Sequence, residues 1–109
     1  MSNTHTPRID QLLKFLSANP KDSFVRFALA LEYDKLGNEE KTLAYFEEIR
    51  NDDPDYTGTY YHLGKLYERL NNKESALSTY KEGLKRTAGK DDKNYRELQE
   101  ALNQLLYDE

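Results

Sequence analysis

The chain contains no cysteine and no tryptophan. Without cysteine there is neither a disulfide frame nor a thiolate metal cage. β-branched aliphatic residues are nearly missing, since Ile9, Val25 and Ile49 are the whole set. Strands are built from such side chains, so a sheet has little material. Apolar runs stay far below the roughly 18–20 residues of a membrane span. Met1–Pro20 also lacks the basic-then-apolar layout of a secretory leader, and the expected address is the cytoplasm. Strong positive charge is absent too. The net charge is -4 and the pI about 5.2, which disfavours nucleic acid, because phosphate neutralisation by Lys and Arg dominates that binding. The charge is unevenly spread, with five basic and ten acidic residues over 21–56, against seven basic and three acidic over 57–90.

What remains is leucine, tyrosine and charge. Sixteen leucines and nine tyrosines supply most of the apolar surface, and 33% of residues are charged. Leu, Ile, Val and Phe together make up only about a fifth of the chain, close to the composition at which disorder sets in. The expected fold is all-α, and 109 residues suit one domain.

Sliding the sequence against itself by 34 residues superposes like on like. Leu29 falls on Leu63, Ala30 on Gly64, Tyr33 on Tyr67, Leu36 on Leu70, Leu43 on Leu77, Phe46 on Tyr80 and Pro20 on Pro54. A fixed period of this length marks a repeat architecture. Each period reads as two helices, over about 23–36 and 39–51, then 57–70 and 73–86, from the 3.6-residue spacing of apolar positions. Gly37-Asn38 and Asn71-Asn72 stand at the turns, where left-handed backbone is needed. Asp52-Asp53-Pro54-Asp55 separates the periods, with Asp55 expected to cap the next helix. Arg8–Ala18 reads as a further helix, and 92–107 as another with Tyr95, Leu98, Ala101, Leu102 and Leu105 on one stripe.

Tyr60-Tyr61-His62-Leu63-Gly64, Tyr67, Ala76 and Tyr80 resemble the tetratricopeptide repeat, a helix–turn–helix module of interaction scaffolds. The preceding period carries Leu29-Ala30, Tyr33, Gly37, Phe46 and Pro54, but departs at Thr42 and at Arg26, where a large aromatic is usual. Loose packing is expected at that corner. The resemblance implies antiparallel helix–turn–helix repeats stacked as a short right-handed α-solenoid of about six helices. The expected organisation is a single domain over 1–109: a mobile tail at 1–6, an N-terminal half repeat at 7–20, repeats at 23–54 and 57–90, and a capping helix at 91–109. Ala30 and Gly64 are expected to let helices approach, with Tyr33, Phe46, Tyr67 and Tyr80 filling the space between. Truncating such an aromatic costs about 3–5 kcal/mol, and Tyr67→Ala is expected to unfold the domain.

Chemistry-bearing constellations are missing. His5 lies in the polar tail. His62 has Leu66 at i+4 rather than a second ligand, so an exposed polar role is expected for it and no metal site. Asp52, Asp53 and Asp55 lack the central Gly and closing Glu of a calcium loop and read as turn residues. Phosphate loops and nucleophile elbows are absent. No cofactor, no metal and no enzymatic activity are expected.

In the family, the first helix of each repeat lines a concave groove that takes peptides or helices. The resemblance places Phe24, Phe27, Leu31 and Asp34 of the first repeat on that line, with Tyr61, Lys65 and Glu68 of the second and Arg96 and Glu100 of the last helix. A subset of the family clamps chaperone-tail carboxylates with Lys, Asn and Arg. Phe27, Leu31 and Tyr61 stand where that clamp needs polar residues, which disfavours such a ligand. The expected function is a protein-interaction scaffold for an apolar-anchored peptide or helix of a partner protein, with Lys65 and Arg96 placed to meet acidic groups. The Phe24–Phe27–Leu31 stripe has two other readings: cover by the N-terminal segment, or a homodimer interface in a self-associating adaptor.

Overall fold

The computed structural model describes residues 6–107 as six α-helices. They are α1 (Pro7–Ala18), α2 (Ser23–Lys35), α3 (Glu39–Asp52), α4 (Gly58–Arg69), α5 (Lys73–Thr87) and α6 (Asp92–Tyr107). No strand occurs among the described residues. Residues 1–5, which include His5 and most of the expected tail, lie outside them. Thr6 is the N-cap of α1, its hydroxyl accepting from Ile9 N at 3.1 Å.

Packing divides the chain into two compact units, Met1–Asp53 and Pro54–Glu109. In the first, α2 packs on both α1 and α3; in the second, α4, α5 and α6 pack on one another. The turns repeat at the 34-residue period. Gly37 and Asn71 take φ of 74° and 61°. The amides of Asn38 and Asn72 close back on the carbonyls of Tyr33 and Tyr67 at 3.0 and 2.9 Å. The same two asparagines then cap α3 and α5, their side chains accepting from Lys41 N and Ser75 N at 3.1 Å each. One asparagine thus ends a turn and starts a helix, which is how a two-residue link suffices.

Leu29, Tyr33, Val25, Ile9 and Leu12 form the core of the first unit, with Tyr45 stacked on Tyr33 at 6.0 Å. Tyr60, Tyr80, Ala76, Leu98 and Ala101 form that of the second. Gly64 has the role its period position implies, because a Cβ there would collide with the Tyr80 ring. Gly83 is a second close approach, which the repeat does not foretell since its counterpart is Ile49. A Cβ on it would stand 2.6 Å from the Tyr60 Cβ and 2.8 Å from Leu98 Cδ1. α5 can therefore touch α4 and α6 at once.

Three local expectations are corrected. Arg26 is not at a loose corner; it is 2% exposed. Its guanidinium donates to Asp52 Oδ2 at 2.8 Å and to the Lys21 carbonyl at 3.1 Å, with Glu48 at 3.6 Å. Its counterpart Tyr60 does the same job with a ring and a hydroxyl, donating to the Pro54 carbonyl at 2.5 Å. Both side chains fill the corner and tie down the turn before their own helix. Asp55 does not cap α4. Thr57 holds that position without a side-chain cap bond, and Asp55 instead meets Arg86 at 3.3 Å. Tyr67 is half-buried at the edge of its cluster, while Tyr60 and Tyr80 are fully enclosed.

Tyr80→Ala is therefore expected to destabilise the protein by about 3–5 kcal/mol and Tyr67→Ala by clearly less, as read by chemical denaturation followed by helical circular dichroism. The Arg26 hydrogen bond is the main cause that holds the Asp52 carboxyl below its ordinary value. The unfolded chain then takes up that proton more readily than the folded one. The pair's contribution is fully present above about pH 4 and is lost as pH falls through the lower folded value. Arg26→Phe, which refills the corner with an apolar ring, is expected to keep the fold and flatten the acid limb of the stability profile. Arg26→Ala, which leaves a void, is expected to lower the melting temperature at neutral pH.

Candidate functional site

In the second unit α4 and α6 pack against each other and leave an open cleft of about 290 Å³ between their outer edges. Tyr61 and Lys65 line it from α4, one turn apart, and Glu97, Glu100, Ala101 and Gln104 from α6. Residues 97, 100, 101 and 104 share one helical face by their spacing. Ala101, 2% exposed, is the floor, and its small side chain leaves the cleft open. The Lys65 ammonium stands 5.6 Å from the Tyr61 ring centroid, a cation over an aromatic face. It is also 3.8 Å from Glu68 Oε2.

Glu68 has an inward task as well. Its Oε2 accepts the Tyr80 hydroxyl proton at 2.5 Å, linking the cleft's lysine to the centre of the core. Burial, and after it the bond to Glu68, pushes the Tyr80 phenol above its ordinary value. At the entry to α6, Asp91 accepts from the Thr57 hydroxyl and the Asn94 side chain, both at 2.7 Å, and from Asn94 N at 3.2 Å. These bonds, led by that of the Asn94 side chain, hold its carboxyl below the usual range. This carboxylate fastens the start of α4 to the start of α6.

The sequence-derived residues are distributed as follows. Tyr61, Lys65 and Glu100 meet in the cleft. Glu68 stands behind Lys65, and Arg96, though exposed on α6, is not part of the lining. Glu97 and Gln104 are lining residues that sequence reasoning did not single out. The signal for them was available: both lie at helical spacing from Glu100. On α2, Phe24 is 65% exposed, Leu31 is half-buried and Asp34 is exposed. Phe27 is half-buried with its ring 5.8 Å from that of Phe46, so part of it serves the α2–α3 interface. The N-terminal helix reaches α2 through Ile9 and Leu12 against Val25, Leu29 and Tyr33, and leaves Phe24 open. His62 is half-buried and lies edge-on to Tyr61 at 5.7 Å, less open than its sequence position implied. Among the described residues no group of three or more His, Asp and Glu is arranged to hold a metal ion, and no helix is long and apolar enough to cross a membrane.

Antiparallel helix pairs repeating at 34 residues, with matching turns, define a helical-repeat protein. A family model described as tetratricopeptide repeat matches residues 57–89. A tetratricopeptide repeat domain protein from Salinibacter ruber is similar in its crystal structure, with 46% identity and a TM-score of 0.77 over 81% of this chain and 99% of that one. A solution structure of a tetratricopeptide repeat domain protein from the same organism gives 46% identity and a TM-score of 0.78, over 84% and 93% of the two chains. A protein from Bordetella parapertussis, 21% identical with a TM-score of 0.76 over 94% of this chain and 90% of its own, shares the fold. No curated protein was found to match the chain. The chain belongs to the tetratricopeptide repeat family, whose fold is commonly a protein–protein interaction module and generally non-catalytic.

Burial raises the Tyr33 and Tyr45 phenols as it does that of Tyr80. Unfolded phenols ionise near ~10, whereas these keep their protons in the folded state. Stability is thus full below that pH and declines as pH rises beyond it. Tyrosinate absorbance is expected to rise together with loss of helical circular dichroism, and Tyr80→Phe to move both transitions to higher pH.

Proposed function

We propose that the protein is a non-catalytic interaction module that holds a peptide or helix segment of a partner protein in the α4–α6 cleft. The observation that carries this reading is the cleft itself: a concavity with a half-buried aromatic wall, an alanine floor and a rim of hydrogen-bonding side chains, on rigid elements. Recognition sites have this make-up, with apolar contact for affinity and a few polar groups for orientation. Tyr61, Lys65 and Glu100 are assigned to partner contact, Glu68 holds Lys65 in place, and Arg96 lies at the margin. On the first unit the corresponding helix, α2, offers Phe24, Phe27, Leu31 and Asp34 as its own binding line. Binding is the activity that the residues lining the cleft support. The cytoplasm is the assigned compartment and scaffolding the assigned role.

A second reading is favoured by one observation, that the first unit exposes two phenylalanines, Phe15 at 55% and Phe24 at 65%. Large exposed apolar patches mark interaction sites, and a homodimer through this unit would cover both rings.

One experiment separates the two. A photo-activatable cross-linker at Tyr61 is expected to capture a partner protein in the native host extract, while the same group at exposed Ser78 on α5 is not. A Tyr61→Asp variant, tested at a temperature where circular dichroism shows it still folded, should lose the partner. Equal capture from both positions would refute the cleft reading. Dimers in sedimentation velocity that are abolished by Phe24→Asp would establish the second.

A further inference from the structure

The charges around the cleft are unequally satisfied. Lys65 is the lining cation, and it already has a carboxylate neighbour in Glu68 at 3.8 Å and the Tyr61 ring at 5.6 Å. Glu97 and Glu100 project from the opposite wall, both exposed. Among the described residues neither has an ion-pair partner within 4.0 Å, not even Lys93 or Arg96 one turn before them. Within the lining two carboxylates therefore stand opposite one ammonium, which has a third, Glu68, behind it. An arriving anion must draw Lys65 away from Glu68 and meet the field of Glu97 and Glu100. An arriving cation gains two carboxylates and breaks no internal pair.

We propose that the α4–α6 cleft reads a basic side chain, arginine above all, in an extended segment of the partner protein; this rests on the reading of the cleft as the partner site. The choice of arginine over lysine follows from the wall chemistry. A planar guanidinium can lie against the half-buried Tyr61 ring while its edge donates to carboxylates. Glu97 and Glu100, three residues apart on one face, offer acceptors in a row, and the Gln104 amide extends the row by one further turn. An ammonium has neither the flat face nor the fork. The floor at Ala101 leaves depth for the guanidinium, where a larger residue would block it. This sign is opposite to the one expected from Lys65 and Arg96 in the sequence. The reason is positional: Lys65 is engaged by Glu68, and Arg96 lies outside the lining.

The test uses the full chain, isotopically labelled, and two synthetic peptide pools with the same randomised flanks and either Arg or Glu at the centre. The Arg pool is expected to shift the backbone amide signals of residues 61, 65, 97, 100, 101 and 104, and to bind more weakly as salt is raised. The double variant Glu97→Gln/Glu100→Gln, at exposed sites and with an unchanged melt, is expected to weaken that pool by about tenfold. Lys65→Gln, which removes the competing cation, is expected to strengthen it. A Glu pool that shifts the same signals as well as or better than the Arg pool would overturn the proposal and leave the cleft a partner site. Failure of both pools to shift any of these signals would overturn the proposal and the partner-site reading together.

Discussion

The second unit depends on helices coming closer than ordinary side chains allow. In the second unit the Tyr80 ring lies on the bare backbone of Gly64, and the Tyr60 Cβ and Leu98 lie against Gly83. Neither glycine has a positive φ; each stands inside a helix, where glycine costs roughly 1 kcal/mol relative to alanine. The return is contact area. A chain whose aliphatics are almost all leucine and alanine has few shapes with which to fill the gap between helices. It closes the gap instead and fills what remains with flat rings. Tyr60 and Tyr80 are each 0% exposed, and both send a hydroxyl to an acceptor so that burial leaves no phenol unpaired.

The bond from Tyr80 to Glu68 then ties the edge of the proposed cleft to the core. Glu68 is held from the inside by the core and holds Lys65 on the outside. The lysine of the cleft therefore has beside it, at 3.8 Å, a carboxylate that the core already anchors. The same economy appears at Asp91, which joins the starts of α4 and α6 through Thr57 and Asn94. Both walls of the cleft are fixed by hydrogen bonds that a partner does not have to form. Preorganisation of this kind lowers the entropy cost of binding.

How much of this was legible in the sequence follows from how local each feature is. The six helices and the left-handed turn at Asn71 are written in short-range chemistry, and they could be read directly, the start of α4 excepted. The close approach at Gly64 was legible as well, because its counterpart Ala30 is small. Gly83 was not, since Ile49 stands at the matching position and the period carries no hint there. Arg26 was misread for the opposite reason. It breaks the pattern of its period, and only the fold brings Asp52, 26 residues away, and the Lys21 carbonyl to its guanidinium. Seen beside Tyr60 it is a substitution of means: charge-assisted hydrogen bonds replace a ring and a hydroxyl at the same corner. The cleft was half legible. The family resemblance placed Tyr61, Lys65 and Glu100 on a common line, but which charges are already paired is a tertiary fact.

That last distinction decides what the surface can mean. A charged residue counted in the sequence contributes its full sign, and Lys65 and Arg96 read as a welcome for acidic partners. In the folded chain a charge acts on a ligand only to the extent that no neighbour has met it first. Lys65 has Glu68, while Glu97 and Glu100 face open solvent across from it. α6 has one apolar stripe, Leu98, Ala101, Leu102 and Leu105, committed to the core, and its polar face is otherwise a solubilising surface. Beside Tyr61 part of that face becomes the wall of a cleft, and residues that keep the helix wet acquire a direction and a sign. On the proposed reading, the field of Glu97 and Glu100 would by itself favour basic segments over acidic ones, with no additional machinery.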